Sequence, residues 1–87
     1  FVVLLYHMTK ELPELGKRLS AARKERFPKD GVRGFAPRIG VSVSTLVKME
    51  QGKLSVSLGN YHEAARVLGL ENQFDLLFVI PKSLFDD

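Results

Sequence analysis

Apolar residues recur at three- and four-residue steps through most of this chain, and the breaks between runs fall at glycine and proline. Leu12, Leu15, Leu19 and Ala22 form the first stripe, with Glu11, Pro13 and Glu14 suited to a helix start and Phe27-Pro28 to its end. The spacing predicts a helix over 12–26. Phe35, Ala36 and Ile39 form the next, over 30–39. Gly34 and Pro37 interrupt it, and an interior proline costs about 3 kcal/mol, so a short, kinked or shifted helix is expected there. Leu46 and Met49, with Val41 just outside, set a third helix from Val43. Gly40 before it can take the left-handed conformation that ends a helix, and Ser42 can accept from the exposed N–H groups of the new one. Ser57 caps a fourth helix with Leu58, Tyr61, Ala65 and Leu68 on one face, closed by Gly69 with Leu70 folding back. Glu71 or Asn72 starts a short fifth through Phe74, Leu77 and Phe78, and residues 78–80 read as extended before Pro81.

The fold class that follows is all-α, a compact five-helix domain with a short extended C-terminal tail. Eighty-seven residues hold one core and no second domain. The organisation expected is an apolar extension over 1–8, the helical domain over 9–78 and a tail over 79–87. Cysteine is absent, which removes disulfides and thiolate metal sites; a reducing compartment is compatible with that.

Charge divides the chain. Residues 1–53 carry eleven Lys/Arg against five Asp/Glu, and residues 54–87 carry two against five, so the net +3 is a +6 part joined to a −3 part. A basic half holding a short polar-faced helix fits a surface drawn to phosphate; the acidic half fits one directed at protein. The same lysines and arginines also suit the solvated face of an ordinary helix.

Seven of the first eight residues, FVVLLYHM, are apolar or aromatic. The run is too short to span a bilayer and lacks the basic start and cleavage site of a signal peptide. An edge strand, a dimer contact and translated sequence upstream of a start at Met8 all remain open, with the last favoured for its origin. His7 has no second ligand nearby and is not expected to bind metal.

Residues 40–52, GVSVSTLVKMEQG, organise the rest. Gly40-Val41-Ser42, Thr45-Leu46 and Met49-Glu50-Gln51-Gly52-Lys53 resemble the turn and recognition helix of the lambda-repressor/Cro (Xre-type) helix-turn-helix family. The likeness runs from residue 15 to residue 78. Phe27-Pro28-Lys29-Asp30 before the second helix and the tail ending Leu84-Phe85-Asp86-Asp87 look most similar to HipB-like antitoxins.

The resemblance implies a lambda-repressor-like DNA-binding domain and puts base contacts at Val43, Ser44, Val47 and Lys48. Lysine suits guanine O6 or N7, serine either base partner, and valine a thymine methyl. Thr45, Gln51 and Lys53 are assigned to the DNA backbone. Where the family commonly has a phosphate-binding glutamine this chain has Val32, so Arg33 and Arg38 are expected to supply that contact as point charges. Arg23 is expected to pair with Glu50, holding the reader helix to the scaffold.

Apolar residues Leu77, Phe78, Val79 and Ile80 are expected at a dimer contact, as a short strand with the fifth helix, since readers of this type act as two-fold dimers. No phosphate loop, carboxylate pair or metal-ligand spacing is present, so neither enzyme activity nor a cofactor is expected. Two function classes stay open. One is a sequence-specific double-stranded DNA-binding regulator, a cytoplasmic, nucleoid-associated autorepressor acting as a homodimer on an inverted repeat. The other is a protein-binding module holding a partner such as a HipA-like toxin kinase; an antitoxin would do both. No membrane association is expected.

Overall fold

In a computed structural model, residues 11–81 are described, and they form α1 (Pro13–Arg26), α2 (Gly31–Arg38), α3 (Val43–Glu50), α4 (Leu58–Val67) and a 3₁₀ helix (Glu71–Leu76). Among these residues the architecture is all-α with five helical elements. The apolar run 1–8, His7 and the tail end 82–87 lie outside them.

Boundaries follow local chemistry. Ser42 Oγ accepts from the Thr45 N–H at 3.1 Å, and Ser57 Oγ from the Asn60 N–H at 3.2 Å, so both predicted serine caps form. At the end of α2, Gly40 has φ +73. Its N–H donates to the Pro37 carbonyl, and that of Val41 to the Ala36 carbonyl, at 3.2 and 3.1 Å. Two orphan carbonyls are thereby satisfied in one reversal of the chain. α3 ends the same way at Gly52, through Gly52 N–H to Met49 and Lys53 N–H to Lys48.

α2 survives Pro37. The proline stands in the last turn of an eight-residue helix, where the bond it cannot make is to the carbonyl of Arg33, an exposed residue open to water. Asp30 does not cap this helix; its carboxylate reaches Arg38 instead.

Phe35, Leu46 and Met49 are fully buried, and Ala36, Ile39, Tyr61, Ala64 and Leu68 complete the core. α3 lies against both α1 and α2, whereas α4 carries the 3₁₀ helix. The α1 stripe is only half-buried, and the inner face of α4 is Tyr61, Ala64 and Leu68, with Leu58 left 62% exposed rather than inside. That face is set by the direction in which α4 meets the core, which periodicity along one helix does not specify.

The fifth element is a 3₁₀ helix and ends at Leu76, short of the predicted Phe78. Leu77 N–H donates to Phe74, and Val79 N–H to Leu76 at 3.2 Å. The second bond closes a type II turn, with Leu77 at φ −63, ψ 136 and Phe78 at φ +64. Residues 77 and 78 are therefore a turn and not part of a strand, and residues 79–81 have no regular secondary structure.

Candidate nucleic-acid interface

Leu46 and Met49 turn one side of α3 into the core, and this fixes what the other side presents. With about 100° between successive residues, Val43, Val47, Gln51, Ser44 and Lys48 follow one another within an arc of about 140°. Ser44, Lys48 and Gln51 are exposed, and Val47 is 39% exposed. Val43 differs from the rest. It is half-buried and packs on the core, so it borders the outward face instead of presenting a free methyl pair.

Three hydroxyls meet at the start of α3. Ser42 Oγ–H donates to Thr45 Oγ1 at 3.0 Å, and Ser42 Oγ lies 3.2 Å from Ser44 Oγ. A serine hydroxyl has one proton. With that proton on Thr45, the Ser44 hydroxyl is left to donate to Ser42 or outward, and Thr45 keeps its own proton for an outside acceptor. The positive end of the helix adds to the attraction for an anion there.

The far end of α3 is held from three directions. Arg23 of α1 meets Glu50 through Nε–Oε2 at 2.6 Å and Nη2–Oε1 at 3.0 Å, and the side chains are 8% and 12% exposed. The paired hydrogen bond to Glu50 raises the Arg23 pKa above its ordinary value, which keeps the guanidinium charged. Beside this pair the backbones of α1 and α3 touch. Leu12 N–H donates to the Gly52 carbonyl at 2.7 Å, and a Cβ on Gly16 would lie 2.5 Å from Gly52 N. From α4, Tyr61 Oη–H donates to the Lys53 carbonyl at 2.5 Å. Burial pushes the Tyr61 phenol above its ordinary pKa, since the anion is the poorly solvated form.

The cations expected on the DNA backbone do not act as a set. Arg33 is exposed and has no ion pair with a described residue. Arg38 is engaged: Nε meets Asp30 Oδ2 at 2.5 Å, and its guanidinium carbon stands 4.2 Å from the centre of the Phe27 ring. Lys53 is engaged as well, with Glu11 Oε2 at 2.8 Å, next to an isolated antiparallel bridge between Glu11 and Lys53. Thus Arg38 and Lys53 are tied into the scaffold, whereas Arg33, Lys48 and Gln51 remain exposed and Thr45 is half-buried. Lys24 and Lys29 are further exposed cations of the same basic half.

Gly16, Gly52 and Tyr61 belong to the support of α3 in a way the chain pattern did not announce. A glycine inside a helix costs about 0.5–1 kcal/mol against alanine, and Gly16 is the signal of that kind. Tyr61, a polar-tipped residue on an apolar stripe, is the other.

Leu77, Phe78, Val79 and Ile80 are 49%, 98%, 59% and 64% exposed. Among the described residues no helix is long and apolar enough to cross a membrane, and no three His, Asp or Glu groups gather as a metal site would require. No family model, curated protein or solved structure matches the chain.

Proposed function

We propose that this chain is a sequence-specific double-stranded DNA-binding regulator of the Xre type, acting as a homodimer on an inverted repeat and repressing its own operon. One observation carries the reading. A short helix turns Ser44, Val47, Lys48 and Gln51 outward while its far end is bound to the scaffold by the buried Arg23–Glu50 pair. A rigidly held helix with small and long polar groups at its exposed front matches what a major groove accepts. Ser44, Val47 and Lys48 would meet base edges, with Val43 at the margin. Arg33, Thr45 and Gln51 would orient the protein on phosphate and sugar.

Selection from a random duplex library at physiological salt tests this. Enrichment of an inverted repeat with half-site centres about 10 base pairs apart, or a multiple of a helical turn, is the expected outcome. Salt-sensitive binding without enrichment would sink the claim of sequence reading and leave a general DNA binder.

A second reading has its own support. Residues 77–80 and a neighbouring groove without charged lining expose apolar surface, as a module that holds a protein partner requires. A HipA-like toxin kinase is the partner class this reading names, and an antitoxin of that kind would bind both DNA and kinase. Loss of partner binding on truncation after Pro81 or on Val79→Asp, with DNA binding retained, would favour it. The cellular site proposed with either reading is the cytoplasm.

A further inference from the structure

Two cations bracket α3, Arg38 just before it and Lys53 just after it, and each is paired with a carboxylate. Arg38 Nε meets Asp30 Oδ2 at 2.5 Å, and Lys53 Nζ meets Glu11 Oε2 at 2.8 Å. Both pairs stand partly in water, with side chains 48% and 20% exposed in the first and 38% and 40% in the second. Neither is an ordinary pair one turn apart on a helix surface, as Lys17–Glu14 and Arg66–Glu63 are. Asp30–Arg38 spans the length of α2, and Glu11–Lys53 joins the start of α1 to the end of α3.

Asp30 also gives up a local role to make its pair. It stands at the N-cap of α2, where an aspartate ordinarily accepts from the first helical N–H groups, and it makes no such bond.

We infer that Asp30 and Glu11 set the affinity for DNA by withholding these two cations, so that the domain grips any duplex less tightly than its basic residues alone would dictate. The inference rests on the proposed DNA reading and adds a control to it. A helix seated in a major groove lies between two phosphate backbones, and cations at its ends are placed to meet them. An unpaired lysine or arginine that binds phosphate releases counterions condensed on the duplex, and that release drives association. Arg38 and Lys53 already have an anion. An ion pair this exposed is weak in water, so a phosphate can displace the carboxylate, but the carboxylate then faces the phosphate as a like charge and cancels most of the gain.

Both sites keep the carboxylate close. The guanidinium of Arg38 rests on the Phe27 ring, 4.2 Å from its centre, and holds its place beside Asp30. Glu11 and Lys53 oppose each other in an antiparallel bridge, fixed by the adjoining bond from Leu12 N–H to the Gly52 carbonyl. Lys48 belongs to neither pair, so overall grip and base preference are assigned to different residues.

The test measures binding of the 87-residue chain to a duplex of arbitrary sequence, by fluorescence anisotropy between about 50 and 200 mM salt. Asp30→Asn and Glu11→Gln should each tighten binding roughly fivefold at the low-salt end. Each should also steepen the log–log salt slope by about 0.9, a further loss of roughly 3.5-fold across the range, and the double variant should show both effects twice. Asp30→Glu and Glu11→Asp, which keep the charge, should leave the slope as it was. Weaker binding by Asp30→Asn or Glu11→Gln would overturn the inference, since the carboxylate would then be presenting its cation to phosphate. Unchanged affinity and slope would overturn it too, and leave the pairs a scaffold role alone. Arg38→Gln and Lys53→Gln supply the answer if a carboxylate variant fails to fold. Each should cost less than about twofold in the otherwise unaltered chain, and a loss near that of a full phosphate contact, roughly fivefold, would mean that the cation is not withheld. The duplex is arbitrary, so the result is separate from the selection of an operator. Steeper slopes without any enriched sequence would keep the control and lose the reader. No duplex binding by the unaltered chain or the double variant would remove the DNA reading and this inference with it.

Discussion

Around the end of α3 the molecule spends polar groups, and around the 3₁₀ helix it spends apolar ones. In the first region Arg23, Glu50, Leu12, Gly52, Lys53 and Tyr61 are joined by hydrogen bonds, and no buried side-chain nitrogen or oxygen among the described residues lacks a partner. In the second, Leu54, Leu58 and Leu77 border a groove that no other described residue fills, and Phe78 is almost fully exposed. Directional bonds fix an orientation, because they weaken within a few tenths of an ångström or a few tens of degrees. Apolar contact holds many shapes and favours whatever removes it from water. A helix that must present side chains to a rigid duplex gains from the first kind of support. A surface that must meet another protein can rely on the second.

The contrast can be broken most severely at Arg23. Arg23→Ala should leave the Glu50 carboxylate nearly buried without its cation, at a cost of about 3–5 kcal/mol, which urea unfolding would report. For a domain whose total is about 5–15 kcal/mol this approaches unfolding. The paired change Arg23→Met with Glu50→Leu should recover much of the loss; if it does not, the ion pair is not the source of the cost. Gly52→Ala comes next. The residue has φ +77, and an added Cβ would run into the Leu12 carbonyl, so about 2–4 kcal/mol is expected from strain and overpacking together. A loss below about 1 kcal/mol, within the range of an ordinary surface substitution, would show that α1 and α3 can separate there at little cost.

Phe78→Gly probes the other region and should act in the opposite sense. Removing a non-glycine residue from φ +64 should leave monomer stability unchanged or raise it by up to about 1 kcal/mol, while self-association weakens at least tenfold. Thermal melts and sedimentation on the same samples separate the two effects.

Tyr61→Phe should cost about 1 kcal/mol at neutral pH, leaving the Lys53 carbonyl without its donor. Because the folded-state pKa of Tyr61 is raised above the ordinary value of 10.0, its contribution is fully present below that pH and is lost as pH climbs through the folded value. The wild-type melting temperature should therefore fall more steeply above pH 10 than that of Tyr61→Phe. Lys48→Ala should move stability least, by less than about 0.5 kcal/mol, yet relax discrimination at one base by about 1–3 kcal/mol in competition binding. Lys24→Ala should instead weaken all sequences alike and lower the salt slope.

Much of the helical layout was legible because it is local. Ser42 and Ser57 cap helices through groups three residues away, and Gly40 reverses the chain with bonds inside one turn. The α2 helix tolerates Pro37 for a reason the sequence also contained, namely that its place in the last turn leaves few bonds to break. The candidate reading face was legible to the extent that Leu46 and Met49 fix the buried side of α3. Val43, Arg38 and Lys53 were not. The first is drawn against the core, and the others meet acidic partners, Asp30 and Glu11, that compete with any phosphate.

By itself the sequence determined where the capped and glycine-terminated helices begin and end, because capping hydroxyls, left-handed glycines and apolar steps act over three to five residues; the fifth element, which has neither signal at its end, stopped at Leu76. Which cations remain outward, why Gly16 must be a glycine and what Tyr61 holds were decided by tertiary structure alone. The physical reason is the separation of the groups involved. Glu11 and Lys53 lie 42 positions apart, so their meeting depends on how helices already formed are packed, which no single helix encodes; the Arg23–Glu50 pair, 27 apart, was expected only through the family resemblance.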